Sequence, residues 1–172
     1  MNRFFLPLLL FLFFTIESVF VQLLPSEYFY GKWILVPRFL IMALMLLAIY
    51  NAPKIAIIYG FVFGLLFDIV YTEIIGVYLF LFPLTIYLVM KAMKVLMANA
   101  LVVMIIIMTG ISLLEAVIYK LNHFIHLTDL TFSEFAQMRL LPSLCLNLIF
   151  LVLAYYPLKR YFEKLGGQDS LL

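Results

Sequence analysis

The stretch GFVFGLLFDIV, residues 60–70, is an apolar segment interrupted by two glycines and one aspartate. Gly60, Gly64 and Asp68 are each four residues apart, so in a helix they share one stripe. Glycines at this spacing let a second backbone approach closely, as in the G-x-x-x-G contacts of membrane helices. We therefore expect a packing seam here, with Asp68 at its end and shielded from lipid. A contact within the chain is favoured over a contact with a partner's helix.

The overall composition places the chain in a lipid bilayer. Of its 172 residues, 67% are hydrophobic and 12% are charged, and the mean hydropathy is +1.20. Soluble domains average about 45–50% apolar and about 25% charged residues. The formal net charge of +2 is too small to suggest a nucleic-acid partner. A single cysteine, Cys145, excludes an internal disulfide.

Six segments are long and apolar enough to cross the hydrocarbon, which takes roughly 17–25 residues as a helix. They predict an all-α integral membrane protein with one domain and six transmembrane helices, at about residues 4–24, 34–50, 55–71, 74–90, 99–119 and 140–156. The first segment resembles a secretory signal, but no small-x-small cleavage site follows it, so we interpret it as an uncleaved span. Gly76 is expected to permit a tight return into the fourth span.

The segments between and after the spans also carry signals. Thr131 and Glu134 form a T-x-x-E capping box, which predicts a short interfacial helix at about residues 131–140. Only Pro83 falls in the middle of a span, so a kink is expected there alone. The PLKR sequence at residues 157–160 is expected to end the last span, and residues 164–172 to form a flexible tail.

Lysine and arginine in short loops predict the direction of the spans. One side of the membrane receives seven of these residues and the other receives four. The larger set is Arg3, Lys54, Lys91, Lys94, Lys159, Arg160 and Lys164, and the smaller set is Lys32, Arg38, Lys120 and Arg139. Because cytoplasmic loops carry the excess, both termini are expected in the cytoplasm.

Five polar side chains from five different spans are expected at one depth, in an outer polar cluster of Glu17, Arg38, Asp68, Glu115 and Asn147. A charged side chain costs about 2.5–3.5 kcal/mol at the centre of a membrane helix, so these groups should face one another rather than lipid. Arg38 can pair with a carboxylate, and Asn147 can donate to another. The remaining acids are expected to be protonated or to meet a partner's basic or hydroxyl group.

Three interpretations of the outer polar cluster stay open. The polar side chains could hydrogen-bond the bundle together, with some of them reaching to the interface. They could instead form a polar seat for a ligand or for a partner's helix. A proton or ion path is the third interpretation, but such a path needs polar groups at several depths, and the other half of the membrane offers almost none.

The sequence lacks the motifs of membrane enzymes. His123 and His126 lie in the outer loop and Asp68 is the only aspartate within a span, so neither a rhomboid-type nor an aspartyl intramembrane protease is indicated. No H-E-x-x-H, P-loop or C-x-x-C motif is present. The two histidines and Asp129 are three potential metal ligands, but interfacial polarity explains them more simply. We predict no catalytic residue, no metal and no cofactor.

The segment GFVFGLLFDIVYTEIIG, together with the length and the six spans, resembles the MreD family of bacterial rod-shape-determining membrane proteins, in the version of rod-shaped Gram-positive bacteria. The resemblance covers the whole chain. The G-x-x-x-G-L-x-x-D motif and the glycine that follows it are the distinctive residues of the family. In this chain they correspond to Gly60, Gly64, Asp68 and Gly76. Glu17, Arg38, Glu115 and Asn147 are assigned to the outer polar cluster only because of their expected common depth.

This resemblance implies a non-enzymatic subunit of the cell-elongation machinery that synthesises peptidoglycan at the bacterial cell membrane. The implied partners are MreC and, within the same machinery, MreB, RodA and penicillin-binding proteins. The family's six-helix fold is also similar to the substrate-binding subunits of energy-coupling-factor (ECF) transporters, which bind small molecules in an outward-facing pocket. A small-molecule-binding membrane subunit of a transporter is therefore the alternative prediction.

Overall fold

A computed structural model describes residues 5–23, 33–72, 74–96 and 99–166 of the chain. Within these ranges the chain folds into helices. They are α1 (Phe5–Leu23), α2 (Phe39–Tyr50), α3 (Pro53–Tyr71), α4 (Val77–Val95), α5 (Ala100–Phe124), α6 (Phe132–Phe135), a π-helical turn (Ala136–Leu140) and α7 (Leu141–Gly166).

Five helical segments of the described chain are long and apolar enough to cross a membrane. They are α1, α3, α4, α5 and the continuous segment Phe132–Leu165 that contains α6, the π turn and most of α7. Large apolar side chains are exposed along all five, as lipid-facing surfaces require. The predicted all-α class is therefore confirmed for the described residues, and the lengths and composition of these helices agree with a multi-pass membrane protein.

The second predicted span differs from the others, because α2 has only 12 residues, against the predicted range of 34–50. Residues 33–38 are not helical. Pro37 explains part of this difference, since a proline disfavours helical backbone at the residue before it. The helix itself is about 18 Å long, shorter than the hydrocarbon layer of about 30 Å.

Helix α2 lies at the centre of the bundle. It is apolar on all sides, and every residue from Leu40 to Leu47 is fully buried. It contacts α1, α3, α4 and α7. A helix that is hydrophobic all round needs such a position, because the surrounding helices then shield it from lipid and water alike.

Helix α7 continues ten residues beyond the predicted end of the last span at residue 156, to Gly166. Pro157 lies inside this helix, so Pro83 is not the only proline within a helix. Leu158 and Phe162 are buried against the core after the proline. We attribute the continuation to this packing, which offsets the hydrogen bond that proline removes. Residues 164–166 of the predicted tail are helical, and residues 167–172 lie outside the described ranges.

The segment that leads into α7 begins with the predicted capping box. The Thr131 side chain accepts a hydrogen bond from the Glu134 backbone, and the Glu134 carboxylate accepts one from the Thr131 backbone. One turn of α-helix then widens into the π turn before α7 begins. Such π turns occur frequently at functional sites, and this one carries Arg139.

Candidate functional site

The outer polar cluster is centred on the carboxylate of Glu115, which is 1% exposed in α5. Its Oε1 lies 2.6 Å from Nε of Arg38, the residue that precedes α2. Its Oε2 lies 3.1 Å from Nη2 and 3.2 Å from Nε of Arg139 in the π turn. One buried carboxylate thus joins two guanidinium groups from two other elements of the fold.

Arg38 makes two further side-chain contacts with Tyr78 of α4. Its Nη2 donates to the tyrosine hydroxyl over 2.9 Å, and its guanidinium carbon lies 5.1 Å from the centre of the ring. The contact therefore combines a hydrogen bond with a cation–π interaction. Since Arg38 is only 3% exposed, these contacts satisfy a charge that neither lipid nor water reaches.

Asn147 of α7 binds the backbone of the non-helical segment rather than a carboxylate. Its Oδ1 accepts from the Arg38 backbone N–H over 2.8 Å, and its Nδ2 donates to the Val36 carbonyl over 3.0 Å. Irregular backbone at membrane depth is tolerated only where protein satisfies its polar groups. Asn147 fills this role for the turn that leads into α2.

Ser143, one helical turn before Asn147, supports the same segment. Its hydroxyl accepts from the Val36 N–H over 2.9 Å and donates to the Ile34 carbonyl over 3.1 Å. The Ile34 N–H in turn donates to the Met138 carbonyl in the π turn over 2.7 Å. The start of α7 and the π turn together therefore substitute for the missing helical hydrogen bonds.

Glu17 of α1 lies at the N-terminus of α2. Its Oε2 accepts from the Leu40 backbone N–H over 3.2 Å, and the side chain is 3% exposed. The first N–H groups of a helix have no partners within the helix, and the helix dipole favours negative charge beside them. Glu17 thus acts as a helix cap supplied by a neighbouring helix.

Asp68 of α3 does the same for α4. Its Oδ1 accepts from the Tyr78 N–H over 2.8 Å, and its Oδ2 accepts from the N–H groups of Gly76 and Leu79, each over 2.9 Å. Gly76 has φ of +119°, a conformation that favours glycine and lets the chain turn sharply before α4 begins. Asp68 is fully buried, and its carboxylate is occupied by backbone donors.

The glycine stripe lies against α4 of the same chain. A Cβ atom built on Gly64 would be 2.8 Å from the Tyr78 carbonyl carbon and 3.0 Å from Leu79 Cα. One built on Gly60 would be 3.3 Å from the backbone of Pro83. The stripe is therefore an intramolecular seam, which is the contact that the sequence favours over a partner's helix.

The predicted polar residues fall into two connected groups. Arg38, Glu115 and Asn147 are joined by hydrogen bonds around the start of α2, where Glu17 also lies. Asp68 lies at the start of α4 and, among the described residues, connects to Arg38 through Tyr78. Sequence reasoning did not single out three residues of the site, which are Tyr78, Arg139 and Ser143. The i, i+4 spacing of Ser143 and Asn147 on one helix face is a signal that could have found the serine.

The structure also contains a cavity next to the outer polar cluster and a groove between two helices. A cavity of about 190 Å³ borders the outer polar cluster and is lined by Glu17, Arg38, Arg139, Tyr71 and Tyr78 together with apolar residues. A groove of about 320 Å³ runs between α4 and α5 and is almost wholly apolar. Within the described ranges, no three histidine, cysteine, aspartate or glutamate side chains are grouped to hold a metal ion.

A family model and a curated protein each match almost the full chain. The family model described as rod shape-determining protein MreD matches residues 2–165. The rod shape-determining protein MreD of Bacillus subtilis (strain 168) is 37% identical over 165 residues, which cover 96% of each chain. No solved structure matches. The chain therefore belongs to the MreD family of rod shape-determining proteins.

Proposed function

We propose that this chain is a non-enzymatic membrane scaffold of the cell-elongation machinery, which binds MreC and links it to the cell-wall synthases. Membership of the MreD family supports the role in cell shape. MreC, MreB, RodA and the penicillin-binding proteins are the partners that the resemblance implies. The proposal assigns the MreC contact to a surface of this chain that lies within the membrane.

The groove between α4 and α5 is the observation that carries this assignment. Its rim is formed by side chains that are about half exposed, including Leu84 (50%), Leu88 (49%) and Leu113 (54%). Thr109, a small exposed residue, keeps one side of the groove low. Small residues of this kind allow a second helix to pack closely in a membrane, where association depends on close contact. The glycine stripe of α3 is not available for this purpose, because α4 already occupies it.

The outer polar cluster supports a scaffold rather than a catalyst. Arg38, Glu115, Asn147 and Asp68 all bind groups of the same chain. A catalytic group must reach a substrate, whereas these side chains hold helices and backbone segments together. The internal-bonding interpretation of the cluster therefore agrees best with these contacts.

We further propose that residues 33–38 and α2 together form a sixth crossing. The extended segment would add the length that the 12-residue helix lacks. Six crossings place both termini on one side, and the excess of lysine and arginine there favours the cytoplasm. Similarity to the ECF substrate-binding subunits stays a prediction.

Substitution of the groove tests the MreC assignment. Leu88→Trp and Leu113→Trp fill the groove from α4 and α5, and each should reduce co-purification of MreC at least tenfold while membrane insertion is retained. Ile58→Trp, at a 60% exposed position on α3, is the matched control and should leave co-purification unchanged. Undiminished MreC in both groove variants would reject this surface as the contact.

The cavity beside the outer polar cluster favours the second candidate, a small-molecule-binding subunit. At about 190 Å³ it is smaller than the roughly 300–1,000 Å³ of sites for drug-sized ligands, so only a small molecule would fit. Native mass spectrometry of the purified protein would then show a bound small molecule that Arg38→Ala removes. A spectrum without one would count against this candidate and leave the scaffold proposal intact.

A further inference from the structure

A second apolar groove lies between the N-terminal half of α1 and the C-terminal part of α7. It has a volume of about 380 Å³ and is lined by Phe5, Leu8, Leu9, Leu12, Pro157, Leu158 and Tyr161. Three side chains of α1 that border it are more than half exposed, which are Phe5 (54%), Leu8 (62%) and Leu12 (52%). The groove is therefore open to the acyl-chain region of the bilayer.

Tyr161 is the one residue with a polar side chain among those that line this groove, and its polar group is a hydroxyl. It is buried, and it has no hydrogen-bond partner among the described residues. Buried polar groups in proteins are nearly always hydrogen-bonded, so an exception calls for a partner from outside the chain. A ligand in the groove could supply an acceptor oxygen to this hydroxyl.

The depth of Tyr161 suits a lipid headgroup. It lies 20 residues after Leu141, which corresponds to about 30 Å along a helix, or the thickness of the hydrocarbon layer. Tyrosine is typical of the boundary between the acyl chains and the headgroups. A tyrosine at this boundary would lie close to the glycerol and phosphate of a lipid whose acyl chain occupies the groove.

Basic residues follow at that level. Pro157, Tyr161 and Lys164 lie at positions i, i+4 and i+7, so they share one stripe of α7. Lys164 is exposed, whereas the guanidinium carbon of the neighbouring Arg160 lies 5.4 Å from the ring centre of Tyr156, outside the groove. Lys159, in contrast, points to the opposite side, where its Nζ lies 5.2 Å from the ring centre of Tyr50 and 3.8 Å from the Glu163 carboxylate.

We propose that this groove binds an anionic phospholipid. One acyl chain lies along Leu8, Leu12 and Leu158, the Tyr161 hydroxyl donates to an oxygen of the ester or phosphate, and Lys164 binds the headgroup. Basic pockets beside membrane helices bind such headgroups by charge attraction. The site is separate from the groove between α4 and α5 and does not depend on the proposed function.

Native mass spectrometry of the full chain, with phosphatidylglycerol, cardiolipin or phosphatidylcholine added to the detergent, tests this site. The wild-type protein should retain the two anionic lipids in preference to phosphatidylcholine. The anionic lipid that is retained more strongly identifies the preferred headgroup. Lys164→Gln should reduce retention about fivefold, the effect of one basic residue near an anionic surface. Tyr161→Phe, which removes only the hydroxyl, should also reduce it.

Lys159→Gln is the matched control, because it removes the same charge from the other side of α7 and should leave lipid retention unchanged. Equal retention of phosphatidylcholine would overturn the proposal, as would an equal effect of Lys159→Gln and Lys164→Gln. Leu8→Trp separates a lipid from a partner's helix. It should reduce lipid retention, whereas loss of MreC co-purification with unchanged lipid retention would show that a protein occupies the groove.

Discussion

The Nε atom of Arg38 lies 2.6 Å from the Oε1 atom of Glu115, and this contact joins the start of α2 to α5. Both side chains are shielded from lipid and water, at 3% and 1% exposure. Arg38 and Arg139 share this one carboxylate. The relationship explains how so apolar a bundle tolerates buried charged side chains, because both of these side chains bind polar groups of the same protein.

Removal of Glu115 should strongly destabilise the bundle. Glu115→Leu leaves the buried Arg38 without its carboxylate, and an uncompensated buried charge costs about 3–5 kcal/mol. Thermal unfolding of the purified protein in detergent measures this loss. Glu163→Gln is the control, because it breaks a pair with Lys159 whose side chains are 49% and 34% exposed, and such pairs contribute about 0–1 kcal/mol. Equal effects of the two substitutions would contradict the internal role of Glu115.

Asp68 should be needed for the turn between α3 and α4. Asp68→Ala removes the acceptor of three backbone N–H groups, and each buried donor left without a partner costs about 1–3 kcal/mol. We expect a large fall in the thermal unfolding temperature, whereas Asp129→Ala, at an exposed loop position, should change it little. A fully stable Asp68→Ala protein would show that other groups cap α4.

The two glycines of the seam should differ in their tolerance of a methyl group. Gly64→Ala places Cβ against the Tyr78 and Leu79 backbone, which cannot move without separating α3 from α4. The closest atom to a Cβ on Gly60 is instead Ile86 Cδ1, at 2.8 Å, the end of a flexible side chain. Overpacking costs about 1–3 kcal/mol, and we expect Gly64→Ala at the upper end and Gly60→Ala at the lower end. Unfolding temperatures in the reverse order would show that the seam is packed differently.

Asn147 should be necessary for the non-helical segment before α2. Asn147→Leu leaves the Arg38 N–H and the Val36 carbonyl without partners in a buried site, at a cost of about 1–3 kcal/mol for each group. Thr109→Val is the control, since that hydroxyl bonds only the Ile105 carbonyl of its own helix and is exposed. Hydrogen exchange at residues 34–40 should rise in the asparagine variant alone, and unchanged exchange would contradict this support role.

Sequence patterns were sufficient for the all-α class, because hydropathy indicates where long apolar helices form. The common depth of the polar residues stays a prediction. Sequence patterns did not predict which groups the polar side chains bind. Asp68 and Asn147 bind backbone groups, and the positions of such groups depend on where neighbouring helices begin. Arg139 was expected in an interfacial helix and not in the site, because no sequence pattern indicates the π turn that directs it toward Glu115. The short length of α2 was missed because an apolar run does not reveal where a helix starts.

The length of α7 was missed for a related reason. Pro157 is a strong local signal for a helix end, and the burial of Leu158 and Phe162 that offsets it is a property of the whole bundle. The same continuation places Tyr161 and Lys164 on one stripe beside α1. Local signals thus failed where tertiary packing decided the outcome.

We propose that the polar side chains hold this bundle together internally, while an apolar surface between α4 and α5 binds MreC. Site-specific photo-crosslinking in living cells tests it most directly, with the crosslinker at Leu113 in the groove and at Ile58 on α3 as the control. We predict that MreC is captured from position 113 and not from position 58. Capture of MreC from position 58 with none from position 113 would contradict the claim.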